Sequence, residues 1–365
     1  MRTKQVLNGL SPYVPGKTIE EVKEAYGLEK ITKLASNENP FGFSDRVKEG
    51  LQQSIEHLEI YPDGYSRELR NVLSSRLDVH EKQLIFGNGS DEIMQIICRA
   101  YLEPGTNTVM ATPTFPQYRH NALIEGAEVR EVPLVDGTHD LQEMLNQVDE
   151  LTRVVWICNP NNPTGTMINQ HQFNDFMAKC PEDVLVVMDE AYVEYVTDID
   201  FPDALADLSK YPNMIITRTF SKAYGLAALR IGYGIASEAL IASLEPAREP
   251  FNTNALAQKA AIYALEDDAF IEKTNTRTKH TKDKLVAFCK EKGLDYYPSE
   301  TNFLLVHLPV TGDEMTEYLL QNGFIVRSGE ALGIPNSIRL TIGSEEQMDE
   351  IMAIMNNKLV ESKQV

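Results

Sequence analysis

Val184-Leu185-Val186-Val187-Met188-Asp189-Glu190-Ala191-Tyr192 is the stretch on which the fold turns. Its five apolar residues follow one another without alternating with polar ones, so the strand they form must be covered on both faces. The run then stops on two carboxylic acids. Similar runs lie on either side of it: Leu84-Ile85-Phe86, Thr108-Val109-Met110-Ala111 and Val154-Val155-Trp156-Ile157-Cys158 before, Met214-Ile215-Ile216-Thr217 and Ile231-Gly232-Tyr233-Gly234-Ile235 after. Helical patterns separate them, which predicts an α/β architecture with a mostly parallel sheet between about residues 84 and 236. Ligand chemistry in such sheets gathers at the carboxyl ends of the strands.

Beside the first run, Ile93, Ile96, Ile97 and Ala100 recur at helical spacing behind Gly89-Ser90, a possible cap. The pattern changes at Glu245-Pro246-Ala247-Arg248-Glu249-Pro250, where two prolines break the register. A long helical stretch then runs to about Cys289, followed by strand-like Phe303 to Val306, Ile325-Val326 and Ile338-Arg339-Leu340. A closing helix carries Met348, Ile351, Met352, Met355 and Leu359 as one apolar core stripe, opened by a Ser344/Gln347 capping box. This second part reads as a smaller α+β domain.

With 365 residues, 42% of them hydrophobic, the chain is long enough for two domains and too apolar for disorder. Its 34 basic and 54 acidic residues give a net charge of −20, which disfavours nucleic-acid backbones and anionic membranes as partners. The four cysteines Cys98, Cys158, Cys180 and Cys289 are too scattered for a disulfide framework or a metal pair, and the histidines form no metal motif. No run reaches the length of a membrane span and the start of the chain has no apolar leader, so a cytoplasmic protein is expected.

Three motifs stand at the exits of predicted strands. Asn159-Pro160-Asn161-Asn162-Pro163-Thr164-Gly165 would alone be a turn, and Asp189 alone a helix cap. The third, Thr219-Phe220-Ser221-Lys222-Ala223-Tyr224-Gly225-Leu226-Ala227-Ala228-Leu229-Arg230, follows a buried strand. A lone lysine is usually a solvated surface residue. One flanked by hydroxyl and aromatic side chains at a strand exit can be desolvated, which lowers its pKa and lets the neutral amine attack a carbonyl. Between Arg218 and Arg230 there are three cations and no acid, a local +3 that suits an anionic ligand.

Taken in order, Asn162, Asp189, Lys222 and Arg230 resemble the fold type I pyridoxal-phosphate-dependent aminotransferases of class I/II. The resemblance spans essentially the whole chain, including Leu34-Ala35-Ser36-Asn37-Glu38-Asn39-Pro40, Gly87-Asn88-Gly89-Ser90-Asp91-Glu92 and Ala247-Arg248-Glu249-Pro250-Phe251-Asn252. It implies a seven-stranded sheet in a large cofactor-binding domain (30–250), with an N-terminal arm (1–29) and a smaller C-terminal domain (251–365). It also implies that Lys222 holds pyridoxal phosphate as a Schiff base and shuttles the reacting proton, while Asp189 pairs with the pyridine nitrogen. Asn162 and Tyr192 would hydrogen-bond the phenolate oxygen, and Phe115 would stack on the ring, a core aromatic being the other reading of that residue.

Arg230, Ser221 and the backbone of Gly89 and Ser90 would bind the phosphate, since Asp91 and Glu92 in the same helix turn would repel it. Tyr61 matches a tyrosine that reaches the cofactor phosphate of a neighbouring subunit, implying a homodimer with shared sites. An arginine inside an apolar strand wants an anion. The resemblance gives Arg339, assisted by Arg327 and Tyr13, the carboxylate of glutamate and the phosphate of histidinol phosphate, with 2-oxoglutarate as amino acceptor in histidine biosynthesis. Two arginines suit a phosphate dianion better than a carboxylate. The competing expectations are an aromatic-amino-acid aminotransferase, alone or combined with the first, and a decarboxylase of a phosphorylated amino acid. A ligand-sensing transcription regulator would need a DNA-binding module, and a dinucleotide enzyme the third glycine of its fingerprint, where Glu92 stands.

Overall fold

The computed structural model describes residues 3–10 and 16–362. Strands in chain order are β1 (Thr32–Lys33), β2 (Leu84–Gly87), β3 (Asn107–Thr112), β4 (Glu128–Pro133), β5 (Thr152–Cys158), β6 (Leu185–Asp189), β7 (Met214–Thr219), β8 (Gly232–Ala236), β9 (Phe303–His307), β10 (Phe324–Ile325), β11 (Arg327–Ser328) and β12 (Ser337–Thr341). Seven of them form one sheet in the order β2-β8-β7-β6-β5-β3-β4. Only β8 runs antiparallel to its neighbours, so the sheet is mostly parallel, as expected.

The unbroken apolar runs explain how that sheet is buried. Successive residues point to opposite faces, and two separate cores result. Phe86, Val109, Val155, Val186 and Ile216 belong to one cluster. Their immediate neighbours Ile85, Met110, Val154, Val187 and Ile215 belong to the other, against the helix Ser90–Tyr101. That helix buries Ile93, Ile96 and Ile97 while Ala100 faces solvent, and its N-cap is Gly89.

The expected long helix is two, Ala255–Leu265 and Asp268–Lys292, because the Asp267 side chain accepts from the Phe270 amide and starts a new helix. The first of these lies beyond residue 250 yet contributes Ala257, Ala260, Ala261 and Leu265 to the core of the large sheet. A smaller antiparallel sheet, β11-β12-β9, packs against the closing helix Glu345–Glu361. The methionine stripe and the Ser344/Gln347 capping box are both present. β1 pairs with β10, and Leu34 joins the small sheet's core, so residues 32–34, expected in the large domain, are stitched instead to the second unit.

The chain reverses direction across the large sheet between β3 and β5. Residues following those two strands therefore flank the crevice where such sheets bind ligands.

Candidate active site

A cavity of about 510 Å³ opens at the carboxyl ends of β5, β6 and β7, with β11 and β12 of the small sheet on its far side. Gly89, Ser90, Phe115, Asn162, Asp189, Tyr192, Ser221, Lys222, Arg230, Arg327 and Arg339 all line it. Tyr61 does not. It is 79% exposed and stacks on Phe251, with ring centroids 4.9 Å apart. Tyr13 lies outside the described residues.

Asp189 ends β6, opposite Thr217 on β7. Thr217 Oγ1 donates to its Oδ1 at 3.1 Å and the Tyr118 hydroxyl donates to its Oδ2. Burial raises its pKa from 3.8 to about 6, opposed by those two donors. Strand alternation sends the next residues to the opposite face. Glu190 and Arg218 meet there as a buried ion pair, Arg218 Nη2 to Glu190 Oε2 at 2.7 Å. The local +3 is thus a +2 at the cavity, because the period of two turns Arg218 away and Glu190 neutralises it.

Lys222 lies in the turn beyond β7, its Nζ donating to the Ser36 carbonyl at 3.1 Å and lying 5.8 Å from the Tyr192 ring centroid. Burial, helped by the positive charge of Arg339, lowers its pKa from 10.5 to about 8. Tyr192 is buried, and its hydroxyl accepts from Asn37 Nδ2 at 2.9 Å and from Asn162 Nδ2 at 3.3 Å. Asn162 Oδ1 in turn accepts from Arg339 Nη1.

At the other end of the cavity Gly89 adopts φ +74°, and a Cβ there would stand 2.7 Å from Arg230 Nη2. Gly232 on β8 has no room for a Cβ either, which would meet the Ser90 nitrogen at 2.5 Å. The result is a narrow cup of backbone amides at a helix N-terminus with Ser221 and Arg230 beside it. Arg230 Nη1 reaches Ser221 Oγ at 3.3 Å. Glu92 turns back, accepting from the Asn88 amide at 2.7 Å and from Asn252 Nδ2 at 2.8 Å. Asp91 does not turn away: its carboxylate lies 3.2 Å from Arg230 Nη2 at the edge of the cup.

Arg339, 7% exposed, donates to the Ala35 carbonyl at 2.7 Å and stands over the Phe303 ring, whose centroid is 5.2 Å away. Its cross-strand partner in the β11–β12 ladder is Arg327. The sequence alone does not disclose the Tyr118 and Asn37 contacts, although Asn37 sits inside a quoted motif and Tyr118 three residues after Phe115. Their roles depend on pairings across 71 and 155 positions, which no local pattern encodes.

A desolvated lysine, a buried acid, an amide cup and an arginine pair in one cavity suit carbonyl–amine chemistry on an anionic cofactor. The family "Aminotransferase class I and II" matches residues 29–354, and the chain belongs to it. Among curated relatives, the histidinol-phosphate aminotransferase of Geobacillus sp. (strain WCH70) is 59% identical over 363 residues, covering 100% of both chains. That of Bacillus subtilis (strain 168) is 58% identical, covering 97% of this chain and 99% of its own. Among solved structures, histidinol-phosphate aminotransferase from Sinorhizobium meliloti in complex with pyridoxal-5'-phosphate superimposes with a TM-score of 0.88 at 26% identity, covering 96% of each chain.

Proposed function

We propose that this aminotransferase moves an amino group between L-histidinol phosphate and 2-oxoglutarate, giving imidazole-acetol phosphate and L-glutamate, in cytoplasmic histidine biosynthesis. The observation that carries the reading is that one cavity is lined by two groups of donors suited to anions. Gly89, Ser90, Ser221 and Arg230 form one, and Arg327 and Arg339 the other. The first fits the phosphate of pyridoxal phosphate and the second a substrate anion. The full-length relatives named for histidinol phosphate support the substrate.

The residues fit the cofactor in charge and shape. Asp189 would face its ring nitrogen, Asn162 and Tyr192 its phenolate oxygen, Phe115 its ring, and Lys222 Nζ would hold it covalently. When bound, pyridoxal phosphate supplies an electron sink for the charge left on a substrate carbon that has lost its proton. The rest falls to the chain. Asp189 stays ionised at neutral pH because its pKa is about 6, so it can pair with a protonated ring nitrogen. With a pKa of about 8, the Lys222 amine is neutral in a useful fraction of molecules, and its Nζ would pick up the proton from the substrate Cα and return it one position away. Arg339 and Arg327 would orient the substrate by its phosphate or carboxylate.

Exposed Ile55, Leu58, Ile60, Tyr61, Tyr65 and Phe251 support a homodimer. In it Tyr61 would leave its own cavity empty-handed and serve the partner's. Among the described residues no helix is long and apolar enough to cross a membrane. Comparing kcat/KM for histidinol phosphate, tyrosine and phenylalanine tests the substrate: the reading requires a preference for histidinol phosphate and fails if an aromatic amino acid is preferred.

A further inference from the structure

Tyr118 is fully buried, and its ring lies 4.8 Å from that of Trp156, at 13° to it. It stands three residues after Phe115, in the helix Gln117–Glu125 that follows β3. Its hydroxyl has one carboxylate to donate to, Asp189 Oδ2, while Thr217 serves Oδ1. Trp156, the single tryptophan of the chain, is itself pinned, its Nε1 donating to Thr108 Oγ1 at 2.8 Å, and that hydroxyl donating to the Val154 carbonyl at 2.8 Å. The phenol is therefore held by packing before any ligand arrives, and it cannot rotate away from the carboxylate.

We infer that Tyr118 is a positioning residue for the reaction, acting through Asp189: its hydrogen bond fixes the carboxylate's orientation and keeps it ionised toward the ring nitrogen of the cofactor. The inference rests on the reading that Asp189 faces that nitrogen. A buried carboxylate with two side-chain donors that are themselves fully buried, Tyr118 and Thr217, is stabilised in its charged form. Removing one donor shifts it toward the neutral acid, which cannot pair with a protonated pyridine. Burial and the neighbouring Asp189 hold the Tyr118 phenol well above its ordinary pKa, so it remains a donor throughout the working range. Its ring also supports Phe115 edge-on, with centroids 5.6 Å apart, so only the hydroxyl distinguishes its chemical role from packing.

Tyr118→Phe isolates that hydroxyl, since the ring stack on Trp156 is kept. Apoprotein is titrated with pyridoxal phosphate while the fluorescence of Trp156 is followed, with Asp189→Asn and the unsubstituted protein in parallel. Tyr118→Phe is expected to weaken cofactor binding about tenfold, the size of one hydrogen bond to a charged group, and to lower kcat with KM for the amino donor unchanged. The apoprotein should melt within a few degrees of the unsubstituted one. Unchanged cofactor affinity and kcat in Tyr118→Phe, with both impaired in Asp189→Asn, overturns the role of Tyr118. Unchanged affinity in Asp189→Asn as well overturns instead the reading of Asp189. Should Tyr118→Phe melt much lower, Thr217→Val removes the other donor from the same carboxylate. A tenfold loss of affinity there supports the role of the donors, and no loss overturns it.

Discussion

Arg327 and Arg339 face each other directly across the β11–β12 ladder. Two like charges in a cross-strand pair are unfavourable, and Arg339 is buried as well. The pair gathers positive charge at the edge of a cavity, where it suits a doubly charged anion.

That pair gives the first prediction. Arg339→Gln and Arg327→Gln should each lower kcat/KM for histidinol phosphate at least about thirtyfold, because truncating one partner of a desolvated charge contact costs about 2–5 kcal/mol. Histidinol without its phosphate should be affected much less. Steady-state kinetics on both amines checks this, and equal losses would mean that the arginines do not read the phosphate.

The second concerns Lys222 and pH. Its pKa is about 10.5 in the unfolded chain and about 8 in the folded one. Between those values the unfolded chain holds more protons, so the lysine's effect on stability improves as pH rises, and its penalty is complete below about pH 8. Lys222→Met apoprotein should therefore melt above unsubstituted apoprotein at pH 7, with the gap closing from pH 8 to 10.5. The same variant should retain no borohydride-reducible linkage to pyridoxal phosphate. A linkage that survives the substitution would assign the covalent anchor elsewhere.

Much of this site was legible because buried parallel strands are written as unbroken apolar runs, and Asn162, Asp189 and Lys222 each sit just past one. Edge strand β4 escaped, since Glu128 to Pro133 is largely exposed and carries polar residues where a covered strand would carry valines. A charge sum places Arg218 with the cavity because it ignores alternation. Whether a residue faces the ligand depends on its parity along the strand, and here Thr217 and Thr219 point one way and Arg218 the other. The break at Asp267 was hidden by helical composition on both sides, and only its capping bond marks it.

The third prediction tests the cup. Gly232→Ala places a methyl 2.5 Å from the Ser90 nitrogen and 2.6 Å from the Gly89 carbonyl carbon, both backbone atoms that cannot swing aside. The amide cup must shift, and the affinity of apoprotein for pyridoxal phosphate should fall at least about tenfold, since phosphate binding there relies on fixed backbone donors. Spectral titration checks it. Unaltered affinity would place the phosphate away from Gly89 and Ser90.

A fourth addresses the exposed Tyr61. If it serves a neighbouring subunit, Tyr61→Phe and Lys222→Ala chains should complement one another. Mixed one to one and allowed to exchange, they should recover about a quarter of the unsubstituted activity, because half the dimers are hybrids and each hybrid has one intact site. Either variant alone should remain impaired. No recovery, with dimers seen by analytical ultracentrifugation, would confine each site to one chain.

The most direct test of the central claim omits the amino acceptor. Purified protein loaded with pyridoxal phosphate is mixed with excess histidinol phosphate and no 2-oxoglutarate, and the keto product is quantified. The account predicts one equivalent of imidazole-acetol phosphate per Lys222-bearing site, then arrest, then resumed turnover with glutamate released once 2-oxoglutarate is added. No product from histidinol phosphate, where tyrosine or phenylalanine yields a full equivalent under the same conditions, would contradict it.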